Sequence, residues 1–180
     1  FKWTSDRTSP TVTIASTTAN VTDGSSTKDA TIALKFTLSE DAGNSTSFEA
    51  SDINTSSTGT ISDFAQSDSD SKVYTATFTP AADGACTIDV AAGGFQDAYG
   101  NNNAAATQFN WTKLDSVSPT IAITAKDSAD ASLATDQTTN DATITLIFTL
   151  SEAAATSGDG QFLVGDITKT NGDLSAFAVQ

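Results

Sequence analysis

The chain has 180 residues, of which 22 are acidic and 8 are basic, and its net charge is −14. This charge argues against nucleic-acid binding, which depends on lysine and arginine neutralising phosphates, and against an anionic membrane surface. Hydrophobic residues nevertheless make up 38% of the chain, and they occur in short alternating runs, which predicts a folded core. The one cysteine excludes an intrachain disulfide, and the absence of histidine removes the commonest general base and transition-metal ligand. No apolar run is long enough to span a membrane.

Alternating apolar residues predict the first strands in chain order. A strand is predicted at Val12–Ile14, directly after Pro10, and another within residues 29–40. The predicted core face of the second consists of alternate apolar side chains: Ile32, Leu34, Phe36 and Leu38. Later strands are predicted at residues 74–78, 86–90 and 109–111.

Clusters of turn-forming residues separate these strands, among them residues 23–26, 83–84 and 100–101. No segment has a sustained helical period. About seven short strands with such spacing predict an antiparallel β-sandwich. On its strand, Cys86 shares a face with Ile88 and Val90, which predicts a small buried side chain and not a reactive thiol. Trp3 and Trp111 are expected to pack in the core or between domains.

The sequence repeats itself with a period of about 110 residues, which is the size of a sandwich domain and not of a solenoid unit. Residues 29–40 recur at 141–152, and Ser9–Ile14 recurs as Ser118–Ile123. The strand predicted within residues 29–40 is therefore predicted again within residues 141–152. The alternate apolar side chains of its core face are Ile144, Leu146, Phe148 and Leu150.

This repeat predicts three parts of the chain. Residues 1–4 match residues 109–112 and are expected to be the last strand of a preceding repeat. Residues 5–114 are predicted to form one complete repeat. Residues 115–180 are predicted to form a partial second repeat.

Several motifs in a fixed order give the chain a family resemblance. Phe-Thr-Leu-Ser-Glu at 36–40 is followed by Ser-Asp-Ile at 51–53, Tyr-Thr-Ala-Thr-Phe-Thr-Pro at 74–80 and Ala-Gly-Gly-Phe-Gln-Asp-Ala-Tyr-Gly-Asn at 92–101. The chain resembles the bacterial Ig-like repeats of giant surface adhesins and biofilm-associated proteins. The resemblance implies an all-β fold of antiparallel Ig-like β-sandwich repeats in tandem, one complete and one partial. It also implies an extracellular, rod-like array whose junctions are frequently rigidified by calcium.

Ig-type topology brings distant carboxylates to the pole where the chain enters the sandwich. The expected group consists of four residues: Asp6, Glu40, Asp52 and Asp97. Packed carboxylates repel one another, and a calcium ion relieves this while requiring 6–8 oxygen ligands. Backbone carbonyls and the amide of Asn101 are expected to complete the shell.

The corresponding positions of the second copy are Asp115, Glu152 and Asp166, and Asp115 is expected to couple the two domains. Glu40 is the strongest candidate, because glutamate is rare in this chain yet recurs as Glu152. The alternative is that these carboxylates are solvated or form Asx-turns without a metal.

Other motifs point to weaker possibilities. Residues 67–71 resemble a calcium loop but lack its glycine and closing glutamate, which favours a solvated hairpin loop. Nothing places paired carboxylates on a cleft with aromatic platforms, so glycoside hydrolysis is disfavoured. Of four sequons, those at Asn20 and Asn44 are the better glycosylation candidates because they are expected in loops.

Three functions remain open at this point, and none is enzymatic. The first is a structural spacer in a stalk or adhesin, whose partners are neighbouring repeats of the same chain. The second is a module that binds a glycan or a cell-surface protein through its loops. The third is a self-assembling subunit of an extracellular filament or sheath, in which other copies complete the sandwich by strand addition.

Overall fold

The alternating segments form strands in a computed structural model that describes residues 1–2, 4–43, 47–56 and 59–178. The chain divides into two units, Phe1–Ser116 and Val117–Gln180. The division falls two residues beyond the end of the predicted complete repeat.

The described part of the first unit contains eight strands. They are β1 (Val12–Ser16), β2 (Ser25–Thr27), β3 (Ile32–Leu38), β4 (Ile53–Thr55), β5 (Thr60–Gln66), β6 (Val73–Thr79), β7 (Gly84–Val90) and β8 (Phe109–Lys113). One sheet has the order β1-β3-β6-β5 and the other β2-β8-β7-β4. Neighbouring strands are antiparallel except β2 and β8, which pair in parallel. The predicted all-β sandwich is confirmed.

The hydrophobic core lies between these two sheets. The predicted inner face of β3 is buried, with Ile32, Leu34 and Phe36 each 0% exposed. Cys86 and Trp111 are also buried, as predicted; Trp3 lies outside the described residues.

Phe48, in the connection between β3 and β4, lies at the centre of an aromatic cluster. Its ring centroid lies 5.2–5.5 Å from those of four other rings: Phe36, Phe64, Tyr74 and Phe95. Most of these contacts have the edge-to-face geometry that aromatic quadrupoles favour. The cluster therefore joins β3, β5 and β6 to the segment that follows β7.

The structure corrects two strand predictions in the first unit. Ser25 and Ser26 were predicted to lie in a turn, but they belong to β2. They are extended because this segment pairs with β8, where Ser25 lies opposite Trp111. The strand β5 was not predicted, since a bulge between Ser62 and Ala65 interrupts its alternation. In both cases tertiary pairing determines the conformation more than local sequence does.

The second unit contains β9 (Ile121–Lys126), β10 (Ser132–Leu133) and β11 (Thr145–Leu150) in one sheet of order β10-β9-β11, together with short 3₁₀ helices at Gly158–Gly160 and Val164–Asp166. Its strand pairing repeats that of the first unit: Ile121 lies opposite Leu150, as Val12 lies opposite Leu38. The repeat in the sequence is therefore a repeat of strand register.

The predicted core face of the second copy is only partly realised. Ile144 lies before β11 and is 46% exposed, and Leu146, Phe148 and Leu150 are half-buried. The physical reason is that a second sheet, β2-β8-β7-β4, packs over the inner face of β3, whereas residues 117–178 form one sheet, β10-β9-β11. In addition β6 pairs with one edge of β3, whereas within residues 117–178 β11 pairs with β9 alone.

Residues 1, 2 and 4 do not lie in a strand. The interpretation of residues 1–4 as the last strand of a preceding repeat stays a prediction.

We expect Phe48→Ala to lower the free energy of unfolding of the first unit by about 3–5 kcal/mol, because a buried ring is replaced by a cavity. Urea denaturation followed by tryptophan fluorescence measures this change. The matched control is Tyr99→Ala, whose ring is 64% exposed and whose loss should cost no more than about 0.5 kcal/mol. Equal effects of the two substitutions would contradict the placement of Phe48.

Candidate cation site

Three carboxylates from distant parts of the sequence meet at one end of the first unit. Asp6 precedes β1, Glu40 follows β3, and Asp97 lies in the long connection between β7 and β8. One carboxylate oxygen from each lies within 4.8 Å of the others. Asp6 and Glu40 are half-buried and Asp97 is buried.

A close approach of two loops holds Asp97 beside the end of β3. Ala42 and Asp97 form a β-bridge, and the Gly43 N–H donates to the Gln96 carbonyl at 2.7 Å. A Cβ on Gly43 would lie 2.4 Å from the Asp97 carbonyl oxygen. Glycine at position 43 therefore permits the loops to come together.

Hydrogen bonds fix the Asp97 carboxylate. Its Oδ1 accepts from the backbone N–H groups of Tyr99 and Asn101, both at 2.8 Å, and its Oδ2 accepts from the Asn101 Nδ2 at 2.7 Å. Burial opposes ionisation of Asp97, but the hydrogen bonds from Asn101, Tyr99 and Gly100 outweigh it and lower the pKa of this carboxyl group. Asp97 is thus an ionised group held in one orientation.

Glu40 has the opposite shift. Its pKa is raised above the ordinary value, first by burial and then by the negative charges of Asp6 and Asp97. The ion pairs found in the described ranges involve other carboxylates, those of Asp83, Asp130 and Asp173. The three-carboxylate group is therefore a site of electrostatic repulsion that a cation would relieve.

The geometry of this group fits a calcium ion. Ligand oxygens lie 2.3–2.6 Å from calcium, so two ligands of one ion are at most about 5 Å apart. The three carboxylate oxygens meet this limit. Hard oxygen donors without histidine or cysteine also suit calcium or magnesium better than a transition metal.

A family model described as the bacterial Ig-like domain matches residues 6–113, more than half of the chain. The chain belongs to the bacterial Ig-like domain family. The first unit is thus an Ig-like sandwich, and the predicted family and fold are confirmed. This domain family is non-catalytic, is typical of surface proteins and adhesins, and is usually extracellular.

No curated protein and no solved structure gave a significant match to this bacterial Ig-like chain. Among its described residues, no helix has the length and apolar character needed to cross a membrane.

Two of the predicted ligands of the Ig-like domain have other roles in the structure. Asp52 is not a member of the three-carboxylate group; its Oδ2 accepts from the backbone N–H of Glu49 at 2.8 Å. The amide of Asn101 was expected to complete the shell, and in the structure its Nδ2 donates to the Asp97 Oδ2 at 2.7 Å. This nitrogen is a donor, so the contact orients the Asp97 carboxylate, and ligation by the Asn101 carbonyl oxygen stays a prediction.

In the second unit, the predicted ligands stay predictions. Asp115 is exposed and belongs to the first unit, two residues after β8. Glu152 is half-buried and follows β11, and Asp166 is exposed. The Asp166 Oδ2 accepts from the Leu163 N–H at 2.8 Å, which repeats the contact between Asp52 and Glu49.

The glycosylation candidate Asn20 and most of the loop at residues 67–71 are exposed. Asn20 is exposed in a turn with a φ of 62°, whereas Asn44 lies outside the described residues. Residues 67–72 connect the antiparallel strands β5 and β6, which agrees with the interpretation of residues 67–71 as a hairpin loop.

Asn103, which was not predicted from the sequence, organises the connection that carries Asp97. Asn103 is 2% exposed. Its Oδ1 accepts from the Phe95 N–H at 3.1 Å, and its Nδ2 donates to the carbonyls of Ala91 and Ala104 at 2.8 and 2.9 Å. The only sequence signal is a run of three asparagines at 101–103, which does not distinguish the buried one.

We expect Asn103→Ala to destabilise the first unit by about 2–4 kcal/mol, because one buried and two partly buried hydrogen bonds are lost and their partners are left without them. The matched control is Asn102→Ala, which removes one exposed hydrogen bond to the Gln96 side chain and should cost less than about 1 kcal/mol. Thermal unfolding of the two variants measures the difference. A control that is as destabilised as Asn103→Ala would contradict the role assigned to Asn103.

We expect Glu40→Gln to stabilise the calcium-free protein at neutral pH. A carboxyl group whose folded-state pKa lies above its ordinary value of 4.5 binds protons more tightly in the folded state. The stability that it contributes therefore falls as pH rises above that value. The difference in free energy of unfolding between Glu40→Gln and wild type should therefore increase from pH 4 to pH 7. Denaturation in EDTA at each pH measures this difference.

Glu49→Gln is the control, since Glu49 lies outside the three-carboxylate group. Its stability should follow that of the wild type across the same pH range. A gap between wild type and Glu40→Gln that does not change with pH would show that the repulsion is absent.

Proposed function

We propose that this chain is a non-catalytic spacer segment of an extracellular surface protein, and that the carboxylates of Asp6, Glu40 and Asp97 bind calcium at the entry pole of its Ig-like domain. The observation that carries the calcium proposal is the convergence of these three carboxylates within 4.8 Å. The spacer proposal rests on family membership together with the repeat of strand register.

Each residue of the site has a distinct part in the proposal. Asp97 supplies a preoriented ligand, because Asn101 and the loop backbone hold its carboxylate. Glu40 supplies a ligand at the end of β3, and the cation offsets the charges that raise its pKa. Asp6 lies in the segment that enters the domain, so its ligation would fasten that segment to the sandwich and restrict its motion.

The distribution of aromatic residues supports a spacer over a glycan-binding module. Glycan-binding surfaces use exposed aromatic rings, and most rings of the Ig-like domain lie in its core. In the described part of the first unit, Phe1 and Tyr99 are the exposed aromatic residues. A glycan array probed with the whole chain should therefore give no signal above background, and saturable binding to one glycan class would contradict the spacer function.

Calcium should raise the unfolding temperature of the protein. At a free concentration 100 times its dissociation constant, an ion that binds only the folded state stabilises it by about 2.7 kcal/mol. Differential scanning calorimetry in calcium and in EDTA measures the shift. Glu40→Gln should be more stable than wild type in EDTA, yet gain little from calcium, because it lacks both the repulsion and a ligand.

Asp68→Asn is the control for this experiment. It removes one negative charge from an exposed loop residue, so it should retain the full calcium shift. If the wild type shows no calcium shift, or if Glu40→Gln retains all of it, the calcium proposal fails.

A second candidate function, lateral assembly, is supported by one specific observation. Large apolar side chains of the second unit are exposed: Ile121, Ile123, Ile144, Ile147, Leu163, Val164 and Phe177. Exposed apolar side chains in such number commonly mark an interaction site.

A further inference from the structure

Three exposed apolar residues of the second unit, Ile121, Ile123 and Ile144, correspond to core positions of the first. Val12 and Ile14 on β1 are 5% and 9% exposed, whereas their counterparts on β9, Ile121 and Ile123, are 47% and 63% exposed. The strand pairing around them is the same in both units. The difference therefore lies in what covers the sheet, not in the sheet itself.

In the first unit, later segments of the chain complete the sandwich around this sheet. The strand β7, which belongs to the second sheet, contacts β1 across the core. The strand β6 extends the first sheet beyond β3 and places Phe78, Ala76 and Tyr74 opposite Ile32, Leu34 and Phe36.

The connection after β7 covers the end of the sheet. Its Phe95 ring lies 5.3 Å from the Phe48 ring, and its Ala104 N–H donates to the Pro10 carbonyl at 2.9 Å.

The second unit retains the surface that receives these segments. The rings of Phe148 and Phe162 lie 5.5 Å apart, as do those of their counterparts Phe36 and Phe48. Beside Phe162 is a groove of about 270 Å³. Its lining includes the counterparts of Pro10, Val12, Leu38 and Phe48: Pro119, Ile121, Leu150 and Phe162.

The edge of β11 is also suited to pairing. Residues 142–150 carry no charge, and Ile147, which is 39% exposed, stands where β3 has Lys35. Charged residues on an edge strand discourage pairing, and an uncharged apolar edge favours it. The edge and the groove are therefore two parts of one receiving surface, which we call the β11 face (residues 144–150 with Pro119, Ile121 and Phe162).

We propose that the β11 face binds, by β-strand addition, a two-stranded segment with the sequence pattern of residues 73–97. Its first strand pairs with β11 and its second lies in the facing sheet, as β6 and β7 lie in different sheets of the first unit. The first strand of the partner carries aromatic, small and aromatic side chains at alternate positions, as Tyr74, Ala76 and Phe78 do. After its second strand the partner carries a glycine pair and an aromatic residue, as Phe95 follows Gly93 and Gly94.

The internal repeat specifies how this partner pairs. Its first strand runs antiparallel to β11, with the small residue opposite Leu146 and an aromatic residue opposite Ile144 and Phe148, by equivalence with β3. The aromatic residue after the glycine pair enters the groove beside Phe162. Main-chain hydrogen bonds supply affinity, and the alternate side chains supply specificity. This interface deepens the assembly candidate and does not depend on calcium.

The test uses the intact chain and a synthetic peptide of residues 71–97, mixed in EDTA and followed by hydrogen exchange with mass spectrometry. The peptide should slow amide exchange in residues 145–150 by about tenfold or more, because paired amides exchange through opening of the interface. Exchange in β3 should not change, since its edge is already paired with β6. The control peptide carries Phe78→Asp and Phe95→Asp and should give no protection.

Three results with the peptides would overturn the proposal: no slowing at residues 145–150, equal slowing by the control peptide, or displacement of β6 in the first unit instead. Protection of residues 145–150 in a peptide-free chain that forms dimers would assign the face to a second copy of the second unit, and would also overturn it. Because the mixture contains EDTA, failure here leaves the calcium experiment unaffected.

Discussion

The ring of Phe48 connects the core of the Ig-like domain to its acidic pole. It contacts Phe36 on β3 and Phe95 in the connection after β7, and Asp97 lies two residues beyond Phe95. Asn103 pairs with the Phe95 N–H, and Gly43 lets the two loops approach. Apolar packing thus brings Glu40 and Asp97 together despite their repulsion. The free energy gained by burying these aromatic rings is larger than the energy of repulsion between the two carboxylates.

The two units share more than their sheet pairing. Asp29 and Asp141 both accept a hydrogen bond from the hydroxyl of the threonine two residues earlier. Asp52 and Asp166 both accept the backbone N–H three residues earlier. These local contacts form without a second sheet, whereas burial of the apolar side chains requires one. The two copies therefore differ in the exposure of these side chains and not in strand register.

The strands with strict alternation were predictable because one buried face fixes their side-chain pattern. The short strand β2 and the bulged strand β5 were not, since their pairing is tertiary. Topology predicted that Asp6, Glu40 and Asp97 approach one another, and it also predicted Asp52, which lies outside this group. The recurrence of Asp52 as Asp166 suggested a shared ligand, but a shared turn contact explains that recurrence. Gly43 and Asn103 act through loop geometry, which no sequence period encodes.

The proposed calcium site consists of Asp6, Glu40 and Asp97 and does not include Asp52. Isothermal titration of calcium into the wild type, Asp97→Asn and Asp52→Asn is the sharpest test of this composition. We expect binding that Asp97→Asn abolishes and Asp52→Asn preserves, because an asparagine at 52 can still accept the Glu49 N–H. Loss of binding in Asp52→Asn, or unchanged binding in Asp97→Asn, would show that these three carboxylates are not the site.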